Sequence, residues 1–67
     1  MEEKSITIFC NEVEIVTTNG KISMNNVEFI TIYNVANYKD ARLKIYLENQ
    51  VRPINISYSS ITTMFYN

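Results

Sequence analysis

The residues of this chain that are able to do chemistry are few, and their spacing limits what they can do. Glu12 and Glu14 fall at alternate positions of an extended segment, and Glu28 follows further along. Paired carboxylates work as acid and base only when burial or a neighbour separates their pKa values. Alternate positions on the outside of a hairpin are solvated, so these acids suit repulsion of an acidic surface or contact with a basic one. Cys10 is the single thiol, and the chain has no histidine. It therefore lacks an activating base and cannot make a zinc site alone. One glycine is too few for a phosphate-cradling loop, and the Ser and Thr hydroxyls are scattered without a base partner. We expect no enzyme activity, no metal and no cofactor.

What remains is recognition chemistry. Residues 27–36 read as a strand that is apolar on both sides, with Val27, Phe29, Tyr33 and Val35 on one and Ile30, Ile32 and Ala36 on the other. Across from it, Tyr46, Lys44 and Arg42 alternate along residues 41–48. Phe29, Tyr33, Val35, Arg42, Lys44 and Tyr46 form the candidate binding site. Tyr, Phe and Arg are the types that anchor protein interfaces. Rings on a sheet with Lys and Arg beside them also suit single-stranded nucleic acid. Six basic against seven acidic residues, a formal charge of −1, favours a protein partner over phosphate. A third outcome is that the tail strand or a second layer folds over Phe29 and Tyr33 and makes them core.

The elements that must position these residues are short strands. Ten Ile, nine Asn, five Val and five Tyr combine strand formers with a turn former, and no segment keeps a helical period. Asn19-Gly20 predicts a two-residue hairpin turn that sets Thr17 against Ile22, Ile15 against Met24 and Val13 against Asn26. A turn at Cys10-Asn11 would pair Ile8 with Val13 and Ile6 with Ile15. A turn over 37–40 would pair Ile32 with Ile45 and Ile30 with Leu47, and would set Tyr46 against Thr31, Lys44 against Tyr33 and Arg42 against Val35. A hairpin around Asn49-Gln50 pairs Ile45 with Ile54, Leu43 with Ile56, Lys44 with Asn55 and Arg42 with Ser57. Asn25-Asn26 must bend or bulge, and residues 61–66 read as a last strand led in by Ser59-Ser60.

These pieces predict one all-β domain over residues 1–67. It would be an antiparallel meander of six or seven short strands, forming a small barrel or a two-layer sandwich. The barrel is preferred, because closing the last strand onto the first would hide two edges. The hairpin order resembles that of small SH3-like or Sm-like barrels in strand spacing alone, and no motif accompanies it.

A domain this small has a marginal core and lacks a disulfide or metal to staple it, so we expect self-association into a homo-oligomer. The apolar runs are far short of a membrane span. Met-Glu-Glu-Lys does not resemble a signal peptide, and a lone Cys suits a reducing cytoplasm. The expected function is a non-enzymatic binding protein acting through a β face or edge on a protein partner. A bacteriophage or mobile-element inhibitor of a host protein is one setting, since the Ile, Asn, Lys and Tyr bias is compatible with an AT-rich genome. The alternative is a single-strand nucleic-acid binder.

Overall fold

Ile and Val at alternate positions give each short segment one apolar side, and asparagines and the glycine punctuate them. The result is seven strands, seen in a computed structural model that describes residues 4–37 and 39–67. The first three residues, part of the signal-peptide argument, and Tyr38 of the expected 37–40 turn lie outside the described residues. The strands are β1 (Ser5–Phe9), β2 (Glu12–Thr17), β3 (Gly20–Asn25), β4 (Val27–Tyr33), β5 (Arg42–Leu47), β6 (Ile54–Ser57) and β7 (Ile61–Tyr66), with a 3-10 turn at Tyr58–Ser60 before the last.

They form two antiparallel sheets, one ordered β1-β4-β5-β6 and the other β3-β2-β7. This is the two-layer sandwich of the two expected architectures, without barrel closure. It is not a simple meander. β1 does not fold back on β2: it crosses to the larger sheet and pairs with β4, with Ile6 opposite Ile32, Ile8 opposite Ile30 and Phe9 opposite Phe29. The Cys10-Asn11 link is therefore a crossing between layers, and the buried Cys10 thiol sits within the core there. The last strand pairs with β2 and not with β1.

Two expected registers are displaced by two residues. In the β2–β3 hairpin Gly20 pairs with Thr17, which brings Ile15 opposite Ile22 and Val13 opposite Met24. Gly20 adopts φ of 139°, a backbone position that suits glycine. In the β4–β5 pair Ile30 faces Ile45 and Ile32 faces Leu43, so Phe29 lies opposite Tyr46, Thr31 opposite Lys44 and Tyr33 opposite Arg42. A slip of two keeps a side chain on its own face, whereas a slip of one reverses it. Val27 is reversed: a bulge between it and Phe29 breaks the alternation, so it is buried in the core and not on the side of Phe29 and Tyr33. The β5–β6 register is as expected, from Arg42 opposite Ser57 to Ile45 opposite Ile54.

Asn26, with φ of 59°, turns the chain from β3 in the small sheet to β4 in the large one. Asparagine tolerates this left-handed conformation better than most side chains. Val13, Ile15, Val27, Ile30, Ile32, Leu43 and Ile45 are buried between the sheets, with Ile8, Met24, Leu47, Ile56, Ile61 and Met64 packed around them. No helix among the described residues is long and apolar enough to cross a membrane.

Candidate functional site

The outer face of the larger sheet collects what alternation leaves over. β1 contributes Ser5, Thr7 and Phe9, β4 contributes Phe29, Thr31 and Tyr33, and β5 contributes Arg42, Lys44 and Tyr46. Because β4 is central, its outward residues meet neighbours on both flanks. Phe29 stacks on Tyr46 with ring centroids 4.4 Å apart and tilts against Phe9 at 5.7 Å. The Tyr33 and Tyr46 hydroxyls are 3.3 Å apart, and the Lys44 ammonium lies 5.1 Å from the centre of the Tyr33 ring. Beneath this canopy Thr31 is buried and shares a 3.2 Å hydrogen bond with Thr7. The second apolar side of β4 is thus covered by its own sheet, not by the tail strand, which belongs to the other layer.

Of the six expected site residues, Phe29, Tyr33, Arg42, Lys44 and Tyr46 come together on this face. Val35 does not. Asn34 takes φ of 60°, which breaks the strand alternation, and Val35 packs against the core. Phe9 joins the face unforeseen, 79% exposed at its rim. Its pairing with Phe29 crosses a long stretch of sequence, but one signal was present: Phe9 is the one bulky apolar residue on the side of β1 that carries Ser5 and Thr7.

Two electrostatic consequences follow. The Tyr46 phenol is pushed above its ordinary pKa, chiefly by the hydrogen bond with Tyr33, then by burial and by repulsion from a charged Tyr33. The Lys44 charge is held over a π face, an arrangement that adds attraction and fixes the long side chain. The face is therefore aromatic, cationic at its β5 side and already ordered.

The acids lie elsewhere. Glu12 and Glu14 are on β2 in the smaller sheet, and Glu28 is on β4 in the larger one. Glu14 is 3.8 Å from the Lys21 ammonium across the hairpin. Glu12, Glu14, Ser23, Met24, Phe65 and Tyr66 help line an open hollow of about 250 Å³. Burial raises the pKa of Cys10, which holds it in the unreactive thiol form. Among the described residues no group of three or more His, Cys, Asp or Glu side chains is placed to hold a metal.

Comparison with known proteins returns no matching family model, no matching curated protein and no matching solved structure.

Proposed function

We propose that the chain is a small, non-enzymatic binding protein of the cytoplasm that lays the outer face of its larger sheet against a protein partner. The observation that carries this reading is Phe9, largely exposed and leaning on the Phe29–Tyr46 stack beside the Lys44–Tyr33 pair. A ring left in water next to preordered aromatics and a cation has the makings of an interface anchor. Preordering also lowers the entropy lost on binding.

The same contacts favour protein over nucleic acid. Base stacking needs ring faces open to solvent. Here Phe29 and Tyr46 each give one face to the other, and Tyr33 gives one to Lys44. The overall charge of −1 adds no general attraction for phosphate. One setting that the residue bias suits is an inhibitor of a host protein carried by a bacteriophage or mobile element.

The test is capture from a lysate of the producing cell, with wild type and a Phe9→Ser, Lys44→Glu double variant side by side. A protein retained by wild type and lost with the variant supports the reading, provided the variant keeps its circular dichroism spectrum. Equal retention by a folded variant removes this face from consideration. Binding of a single-stranded oligonucleotide at low salt that weakens steeply as salt rises would favour the nucleic-acid reading instead.

A further inference from the structure

A second surface stands apart from the aromatic face: the free edge of β7. β7 borders the three-stranded sheet and pairs on one side only, with β2. Asn67 and Glu12 exchange both main-chain hydrogen bonds, at 3.0 and 3.1 Å. Antiparallel neighbours alternate between bonded and non-bonded positions. Phe65, opposite Glu14, is therefore also bonded to β2, while the main-chain N–H and C=O groups of Met64 and Tyr66 point away from the sheet. A register shift opposite Val16 and Thr17 interrupts the alternation further back. The open edge is thus the stretch 63–67.

Exposed edges are normally blunted by charge, proline or brevity. β3 carries Lys21, and β6 has four residues and follows Pro53. The edge of β1 is continued by the charged Lys4. Residues 61–67 contain no charged side chain and no proline. Phe65 and Tyr66, which point to opposite faces of the strand, are 59% and 53% exposed.

We propose that β7 pairs antiparallel with β7 of a second copy of this chain, about a twofold axis at Phe65. That register sets Met64 of each copy opposite Tyr66 of the other, so the outward groups satisfy one another through about four main-chain bonds. Phe65 meets its own symmetry mate at a non-bonded position, where side chains of paired strands approach most closely. Two three-stranded sheets become one of six strands. A second copy is the fitting occupant because the edge is self-complementary, has no like-charged side chains to set against each other, and is closed by a twofold axis. A domain of this size without disulfide or metal also gains the staple it lacks. The pairing stands independently of the aromatic face on the other sheet.

The experiment combines sedimentation equilibrium between about 10 µM and about 1 mM with two substitutions at Phe65. Wild type is expected to dimerise within that range. Phe65→Lys, which puts like charges opposite each other, is expected to weaken the dimer by at least about tenfold. Phe65→Cys is expected to cross-link under mild oxidation far faster than Val51→Cys, a control at a 99% exposed loop site, since cysteines at such a pair meet the distance a disulfide needs. If Phe65→Lys fails to fold, the cross-linking comparison carries the decision. A wild-type monomer at about 1 mM, a folded Phe65→Lys dimer within about threefold of wild type, or Phe65→Cys cross-linking no faster than Val51→Cys overturns the proposal.

Discussion

Tyr46 ties the outer face together, because its ring stacks on Phe29 while its hydroxyl meets that of Tyr33. Its raised pKa means that the folded chain holds the phenolic proton more tightly than the unfolded chain does. The stability this contributes is complete below the unfolded value, near pH 10, and is lost as pH rises through the folded one. We expect the melting temperature of wild type to fall more steeply above about pH 10 than that of Tyr46→Phe. The difference between the two curves isolates Tyr46 from the other tyrosines and the lysines, and parallel curves would remove the link. Cys10 offers a second test. It is 7% exposed, and burial holds its pKa above the ordinary value. Reaction with a thiol reagent at pH 8 should be at least about a hundredfold slower in the native protein than in denaturant, because the thiol reacts only when the corner opens. A native rate close to the denatured one would show that Cys10 is accessible.

At the scale of elements, the β2–β3 hairpin depends on Gly20. An added Cβ there would meet nothing within 4 Å, so the cost of Gly20→Ala lies in its φ of 139° alone. We expect a loss of about 1 kcal/mol or more in urea denaturation, and an unchanged midpoint would show that the turn relaxes into another conformation. This hairpin also shows how far strand pattern can be read. Alternation fixes parity, so the residues of β2, β3, β5 and of β4 from Phe29 onward fall on the faces that their sequence assigns, while the bulge between Val27 and Phe29 puts Val27 in the core against that pattern. It does not fix a slip of two, which only turn geometry decides. Thr17 closing on Gly20, and the longer link after Asn34, each shift a register without moving a side chain to the other face. For that reason five members of the aromatic and cationic face were legible, while their opposite neighbours were not. Val35 was misplaced because the positive φ of Asn34 ends the alternation, and nothing in a period-two pattern announces that break. The β1–β4 pairing was hidden for a different reason. Ile6 and Ile8 satisfy an apolar face beside either β2 or β4, so a local hairpin and a crossing between layers look the same in sequence. Phe9 was lost from the expected site with that choice.

For the molecule as a whole, the sandwich separates what folds it from what is left to bind. A chain of this length has a total stability of roughly 3 to 10 kcal/mol. Ile45 is fully buried between the sheets, and Ile45→Ala should cost about 2 to 5 kcal/mol, a large share of that total. Phe9 touches Phe29 from the rim of the outer face and is mostly in water. Phe9→Ser should therefore change stability by within about 0.5 kcal/mol while weakening attachment to a partner. Urea midpoints of the two variants, measured beside wild type, decide whether this separation holds. A loss with Phe9→Ser approaching that of Ile45→Ala would make the outer aromatic cluster a second core. Its rings would then be structural, and this face would no longer stand as the surface that meets a partner.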